Sequence, residues 1–175
     1  MYLKHITFSG GDPRDLQEVF DHVPGVVETA VGRVVTMDSD EVFAVRLSYN
    51  PKKMDLSMLM DLLFSIVSPY SPDGQGRARG TEYRAGVWYE EAEDEPHLEY
   101  YMHFLQNRGK PLAATGARLT LNDPVERTKA IRPIHAKALP LKSFTPAPDD
   151  AQHYYATHSG AESDIDFHAV KKLAF

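Results

Sequence analysis

The chain has 175 residues, a formal net charge of -6 and no cysteine. Its length suits one ordinary domain, and its acidic balance argues against a nucleic-acid partner, because affinity for phosphates comes from clustered Lys and Arg side chains. The lack of cysteine excludes disulfides, thiolate metal sites and every mechanism that uses a protein thiol as nucleophile. No apolar run is long enough to span a membrane and no export leader is visible, so we expect a cytoplasmic protein without a membrane partner.

The first predicted turn lies at Gly10 and Gly11, where a short apolar run ends and a helix begins. Adjacent glycines tolerate backbone angles that other residues avoid. Asp12 is a favoured N-cap, and Pro13 suits the first helical position because its missing N–H would have no partner there. The apolar residues that follow have helical spacing and are Leu16, Val19, Phe20 and Val23. Asp12 therefore has two interpretations, a structural cap or a reactive carboxylate held at a helix N-terminus.

The next predicted elements are two strands. Residues 26–32 are rich in β-branched side chains and predict a strand that continues into 33–40 before a short acidic turn. Apolar and polar residues alternate over 42–49, the period of a strand with one well-buried face.

A second helix is predicted after Asp55, which suits its N-cap, and Pro69 marks its end. The loop at 68–80 is long for a compact domain and rich in turn-forming residues, which is typical of a functional segment. Residues 81–89 then predict another strand.

The last third of the chain gives weaker signals. A third helix is predicted from near Pro96 to a stop before Gly109. Residues 131–139 predict a strand that Pro133 confines to a strand start or a sheet edge. Asp149 is expected to open a short helix, and residues 160–175 have no strong pattern.

The order strand, helix, strand, strand, helix, strand is typical of a split βαβ or ferredoxin-like arrangement. We therefore expect an α/β fold, a two-layer sandwich with helices on one face of a mainly antiparallel sheet. The predicted domain covers residues 1–155, and residues 156–175 form a C-terminal arm.

Several separated stretches resemble the A-type peptide methionine sulfoxide reductases, which repair the S epimer of oxidised methionine. The most specific is the Gly-Thr-x-Tyr-Arg element at residues 80–84, and the others agree in order and spacing. They lie at residues 8–11, 23–26 and 45–51, with 141–144, 149–150 and 152–154 in the tail. The resemblance covers residues 6–155 and implies an α/β sandwich built around a ferredoxin-like core.

The chemistry that the resemblance implies depends on residues that this chain lacks. The family's signature is Gly-Cys-Phe-Trp, in which a thiolate attacks the sulfoxide sulfur and the aromatic residues hold the substrate methyl group. Here that stretch reads Gly11-Asp12-Pro13-Arg14. The family's glutamate acid corresponds to Phe43 and its loop aspartate to Ala78. Tyr83 is retained, beside Glu82, where the family prefers glutamine.

We therefore expect a degenerate member of that family without reductase activity. Reduction of a sulfoxide needs a thiolate that takes up the oxygen as a sulfenic acid and is regenerated by another thiol. The chain is expected to act as a binding or interaction protein for a peptide or a small polar ligand, with no cofactor. The candidate contacts are Gly11, Asp12, Arg14, Arg79, Glu82, Tyr83 and His153. No pattern indicates an oligomeric state.

Two enzymatic alternatives stay open at this point. Asp12 could act with Tyr83 or His153 in the acid–base chemistry of another enzyme class. The chain could also remain a reductase by a route without thiols.

The arginines and histidines give two further expectations. Arginine is the usual partner of a partly buried carboxylate, so we expect one arginine of the long loop or its following strand to pair across the cleft rather than to bind phosphate. The candidate arginines are Arg77, Arg79 and Arg84, and their candidate partners are Asp12, Glu41 and Glu82. The histidine pairs 97/103 and 153/158 lack the spacing of a helical zinc pair, so no metal site is expected.

Overall fold

The computed structural model describes residues 2–37, 40–106, 133–158, 160–163 and 165–174. Its strands and longer helices are β1 Lys4–Ser9, α1 Pro13–Asp21, β2 Val26–Val35, β3 Glu41–Tyr49, α2 Leu56–Ile66, β4 Gly74–Gln75, β5 Ala78–Arg79, β6 Gly86–Tyr89, α3 Glu95–Gln106, β7 Lys137–Pro140, β8 Ser143–Pro146, α4 Tyr154–Thr157 and α5 Phe167–Ala174. Within the described residues, 3-10 turns lie at Thr81–Tyr83, Ala92–Asp94 and Asp149–Ala151.

The main sheet has the strand order β7-β6-β1-β3-β2-β8. Neighbouring strands are antiparallel except for β6 and β7, which are parallel. The protein is therefore a mixed α/β fold with a mostly antiparallel sheet, as the sequence predicts. Strands β2 and β3 form the longest pair, and they adjoin β8 at one edge of the sheet.

The larger core lies on the sheet face that carries Ile6 and Phe8 of β1, both fully buried. Alternate residues of β3 join this core, together with the apolar faces of α1, α2 and α3. The opposite face carries a smaller cluster that includes Val42, Ala44 and Trp88. The prediction of one buried face for β3 is thus wrong: both faces are covered, because Trp88 and the β7–β8 region pack on the second.

The corner between β1 and α1 has the predicted geometry. Gly10 and Gly11 have φ angles of 149° and 70°, in the range that favours glycine. A Cβ on Gly10 would lie 2.5 Å from the Val67 side chain, so the corner also packs too closely for a larger residue. Asp12 is the N-cap of α1, and Pro13 is its first residue. Asp55 likewise caps α2 through a hydrogen bond that its side chain accepts from the Met58 N–H.

The segment 81–89 differs from its prediction as a continuous strand. It begins as the 3-10 turn Thr81–Tyr83, and only Gly86–Tyr89 pairs in the sheet. The Gly11 N–H donates to the Tyr83 carbonyl at 2.9 Å, which attaches this turn to the corner at the start of α1. The turn has a tertiary partner, and a propensity argument cannot detect such a partner.

Two predicted boundaries fall partly on residues that the structure does not describe. The strand predicted over 131–139 begins at Lys137, and residues 131 and 132 lie outside the described residues. The predicted stop before Gly109 also lies outside them, and the described part of the third helix runs to Gln106. The loop at 68–80 contains the short hairpin of β4 and β5.

The C-terminal segment packs against α1. The Tyr155 hydroxyl and the Ser163 hydroxyl both donate to Asp15 Oδ1, at 2.7 and 2.8 Å. Helix α5 contributes Val170, which is buried, and the Phe167 ring lies 5.1 Å from the Tyr155 ring. The sequence pattern does not indicate this helix, and the division at residue 155 stays a prediction. Among the described residues, no helix is both long enough and apolar enough to cross a membrane.

Candidate functional site

A cleft of about 440 Å³ opens beside the corner between β1 and α1. Its walls come from the start of α1, from β2 and β3, from the turn before β6, and from the end of β8 with the chain that follows it. The lining residues are Asp12, Pro13, Arg14, Val31, Gly32, Arg33, Phe43, Tyr83, Thr145, Pro146, Ala147, Pro148 and Ala151. A cavity of this size is in the range of small-ligand sites.

The Asp12 carboxylate is fully engaged by its neighbour Arg14. Its Oδ1 accepts from the Arg14 backbone N–H at 2.9 Å and from Nε at 3.0 Å. Its Oδ2 accepts from Nε at 3.1 Å and from Nη2 at 2.6 Å. These hydrogen bonds to Asp12 raise the pKa of Arg14 above its usual value. Asp12 therefore caps α1 and neutralises an arginine at the same time.

Arg14 is held on a second side by Tyr154. The guanidinium carbon lies 4.3 Å from the centre of the Tyr154 ring, a cation–π contact. Its Nη1 donates no hydrogen bond to any residue that the structure describes. The side chain is thus fixed in place while one of its donor nitrogens has no partner among the described residues.

Phe43 and Tyr83 form an aromatic wall of the cleft. Their ring centres lie 5.2 Å apart, with the ring planes tilted by 46°. Phe43 is the β3 partner of Arg33 in the β2–β3 register, which brings that arginine to the same cleft. The hydroxyl of Tyr83 has no hydrogen-bond partner among the described residues. This wall offers apolar surface and one phenol, but no carboxylic acid.

The structure brings together some of the candidate residues and separates others. Asp12, Arg14, Phe43 and Tyr83 line the cleft, and Gly11 is linked to it through its bond to the Tyr83 carbonyl. Ala78 lines a neighbouring polar pocket that shares Asp12, Arg14 and Tyr83 with the cleft. The remaining candidates, which line neither the cleft nor this pocket, are Arg79, Glu82 and His153.

His153 faces another part of α1. Its Nδ1 lies 2.7 Å from Asp21 Oδ2, and its backbone N–H donates to Gln17 Oε1 at 2.6 Å. Its φ of 53° is the left-handed conformation, which places it at a sharp turn before α4. The pairing of Asp12 with His153 that acid–base chemistry would need is absent from this arrangement.

The predicted arginine pairing is wrong. Asp12 pairs with Arg14, two residues away, and Glu41 pairs with Arg33 at 3.0 Å, because the β2–β3 hairpin brings those two side chains together. The three arginines considered from the sequence have other partners: Arg77 pairs with Glu162 at 3.6 Å, Arg79 with Asp73 at 3.7 Å and Arg84 with Asp40 at 3.7 Å.

Sequence reasoning missed the wall formed by β2 and the chain after β8. A Cβ on Gly32 would lie 2.2 Å from the Thr145 carbonyl oxygen, so glycine permits the close approach of β8. The Gln152 side chain then bridges the two segments. Its Oε1 accepts from the Val31 N–H at 2.8 Å, and its Nε2 donates to the carbonyls of Val31 and Ala147 at 2.9 and 3.1 Å. Gln152 lies 121 residues from Val31, and no local pattern could indicate this contact.

A group of three carboxylates lies away from the cleft. Glu91, Glu93 and Asp94 are the one set of acidic, His or Cys side chains in the described part of the chain whose ligand atoms lie close enough to hold a metal ion. The Lys4 ammonium is already their common counter-ion, at 3.8 Å from Glu91, 3.2 Å from Glu93 and in direct contact with Asp94. Burial opposes the charge on Lys4, but its bonds to Asp94 and Glu93 outweigh burial and raise its pKa. The absence of a metal site stays a prediction.

Comparison with known proteins gives relatives that match between about two thirds of the chain and nearly all of it. The peptide methionine sulfoxide reductase MsrA of Clostridium acetobutylicum is 26% identical over 182 residues, covering 97% of this chain and 99% of the relative. The enzyme of the same name from Mycoplasma pneumoniae is 32% identical over 123 residues, covering 63% of this chain and 78% of that protein.

Solved structures show a similar fold. Methionine sulfoxide reductase A of Corynebacterium diphtheriae superposes with a TM-score of 0.72 at 18% identity, covering 93% of this chain and 78% of that one. Mxr1 from Saccharomyces cerevisiae in its reduced form gives a TM-score of 0.71 at 22% identity, covering 92% and 88%. The family model for peptide methionine sulfoxide reductase matches residues 4–174, which confirms the resemblance predicted from the sequence. The chain therefore belongs to the peptide methionine sulfoxide reductase family.

Proposed function

We propose that this family member has no reductase activity and uses its cleft to bind a peptide or a small polar ligand. One observation carries the proposal: in a chain without cysteine, the residue that follows Gly11 is an aspartate whose two oxygens are both held by Arg14. Sulfoxide reduction passes oxygen to a soft thiolate and needs a second thiol to regenerate it. A carboxylate held in an ion pair supplies neither step.

The remaining cleft supports a binding role. Its volume of about 440 Å³ is sufficient for a small ligand or a peptide side chain. Apolar surface from Phe43 and Tyr83 lies beside the charged groups of Asp12 and Arg14, and this mixture is typical of small-ligand sites. The engaged Asp12 also disfavours its use as a nucleophile or base in another enzyme class.

A second proposal concerns the fold at the core of the sheet. We propose that β1, α1, β2, β3, α2 and β6 form a split βαβ, ferredoxin-like unit. The central strand order β6-β1-β3-β2, with antiparallel neighbours throughout, supports it. A cytoplasmic location and the absence of nucleic-acid and membrane partners stay predictions of the sequence.

The activity claim has a direct test. The protein is incubated with a peptide that contains methionine-S-sulfoxide and with dithiothreitol, beside the Clostridium acetobutylicum relative as the positive control. We expect the reduced peptide to form only with the relative. Turnover above the buffer rate by this chain would contradict the proposal and would restore the alternative of a thiol-free reductase.

The binding claim is tested separately. Titration of ¹⁵N-labelled protein with a blocked, neutral peptide that contains methionine should shift the amide resonances of Val31, Gly32 and Tyr83 more than those of α2. Shifts spread evenly over the protein, or no shifts at millimolar peptide, would count against this cleft as a site for neutral peptides.

A further inference from the structure

The polar side chains that line the cleft have more free hydrogen-bond donors than free acceptors. Arg33 uses only Nη1 in its bond to Glu41, and Nη1 of Arg14 and the Tyr83 hydroxyl have no acceptor among the residues that the structure describes. The carboxylate that lines the cleft, Asp12, already accepts four hydrogen bonds from Arg14. A ligand that fits this inventory must bring acceptors rather than donors.

The formal charge of the lining points the same way. Among the described residues, two arginines and one aspartate line the cleft, so this part of its lining carries a net positive formal charge although the whole chain is acidic. Arg14 is neutralised by Asp12, which leaves Arg33 as the cation with the weaker partner. The Arg33 and Glu41 side chains are 47% and 53% exposed, and an exposed pair of this kind contributes little and can exchange partners.

The start of α1 does not provide the anion site. Pro13 has no N–H, the Arg14 N–H is bonded to the Asp12 side chain, and the Asp15 N–H is bonded to the Asp12 carbonyl at 3.1 Å. The backbone donors that attract anions to helix N-termini are therefore occupied. An anion in this cleft would be bound by guanidinium groups, whose planar fork matches a carboxylate.

Aromatic and aliphatic surface adjoins these donors. The Phe43 and Tyr83 rings form one wall, and Pro13 and Val31 line the same space. From this combination we infer that the cleft selects a carboxylate attached to an apolar group, an inference that rests on the proposed binding function. Two sources share this chemistry: a small organic acid, and a peptide in which an acidic side chain adjoins an apolar one.

The probe is N-acetyl-L-phenylalanine, compared with its neutral primary amide by isothermal titration calorimetry. We expect the carboxylate to bind at least about tenfold more tightly than the amide, the effect of about one charge-assisted hydrogen bond. Raising the salt concentration should weaken binding of the carboxylate and leave binding of the amide unchanged, because salt screens the charge of the carboxylate and the amide has none.

Two variants test whether Arg33 is responsible for the preference for a carboxylate over an amide. R33Q removes the cleft guanidinium that is held only by an exposed pair, and it should reduce the carboxylate preference to below about twofold. R79Q makes the same change of charge at an arginine that pairs with Asp73 outside the cleft, and it should retain the full preference. Equal loss in both variants, or equal binding of acid and amide to the unmodified protein, would overturn the inference.

Blocked peptides distinguish the two sources. Acetylated and amidated peptides with Phe-Glu or Phe-Gln at the centre are titrated in parallel. Selective binding of the Phe-Glu peptide supports a peptide source, and binding of N-acetyl-phenylalanine without the peptide supports a small acid. If only the neutral methionine peptide binds, the carboxylate inference is wrong and the proposed binding function stands; if no probe binds, both are wrong.

Discussion

Replacement of Asp12 separates its two structural contacts. In D12N the amide oxygen can still accept the hydrogen bond from the Arg14 backbone N–H, but the charge that pairs with the Arg14 guanidinium is lost. In D12A both contacts are lost. The two variants therefore measure the cap and the ion pair independently.

The expected magnitudes follow from the exposure of the pair. The Asp12 and Arg14 side chains are 24% and 41% exposed, so solvent screening limits the ion pair to about 0.5–1 kcal/mol. Loss of an N-cap costs about 1 kcal/mol more. We expect the free energy of unfolding to fall by about 0.5–1 kcal/mol in D12N and by about 2 kcal/mol in D12A. For a domain of this size each kcal/mol lowers Tm by about 2–4 °C.

Urea denaturation followed by circular dichroism gives both values. R14Q and the double variant D12N/R14Q complete a double-mutant cycle whose coupling energy reports the Asp12–Arg14 pair. A carboxylate kept for chemistry at a strained site is often a stability cost, and its removal then leaves stability unchanged or raises it. Unchanged or increased stability in both D12N and D12A would refute a structural role for Asp12.

Four further outcomes are expected. G11A should destabilise the protein by about 2 kcal/mol in thermal denaturation, and G160A, also at positive φ but with nothing near its Cβ, by only about 1 kcal/mol; equal costs would contradict the packing argument. Q152A should cost about 1–3 kcal/mol in urea, because it leaves the Val31 N–H without its acceptor while the Val31 carbonyl keeps the hydrogen bond from the Ala147 N–H, and Q152E should recover part of this. D12C should react with an aromatic disulfide reagent yet show no sulfoxide turnover, because the described residues that line the cleft include no acid besides position 12; turnover would show that the thiol alone was missing. Burial and the hydrogen bond to a carboxylate raise the pKa of Tyr155 to about 12, so its contribution to stability is complete below about pH 10 and falls as pH rises toward 12; Y155F should flatten this fall in denaturation measured from pH 9 to 12.

Local signals predict the corner and the helices. The two glycines, the cap at Asp12 and the proline after it each act within a few residues, and the structure has all three features where the sequence places them. The same holds for Asp55 and α2. Short-range backbone and capping preferences decide these features, so one sequence is sufficient.

The walls of the cleft depend on contacts between distant residues. Arg33 enters because the β2–β3 register places it opposite Phe43, and Gln152 reaches a strand 121 residues away. The pairing of Arg14 with Asp12 is close in sequence, but its choice over Arg77, Arg79 and Arg84 depends on which way each side chain leaves the backbone. Periodicity and propensity contain no information on these directions.

The retained motif and the proposed loss of reductase chemistry have different physical causes. The Ser9 hydroxyl donates to the Arg84 carbonyl at 2.8 Å, and the Gly11 N–H donates to the Tyr83 carbonyl at 2.9 Å. Both bonds end on backbone oxygens of the Gly-Thr-x-Tyr-Arg element, so they fix the turn whatever chemistry the neighbouring side chains perform. Folding stability preserves such contacts, whereas the side chains of Asp12 and Phe43 take no part in them, so these two positions can vary without loss of the fold. Similarity in the residues that fix this turn therefore identifies the family and its fold, whereas a reaction has to be argued from the side chains of the site.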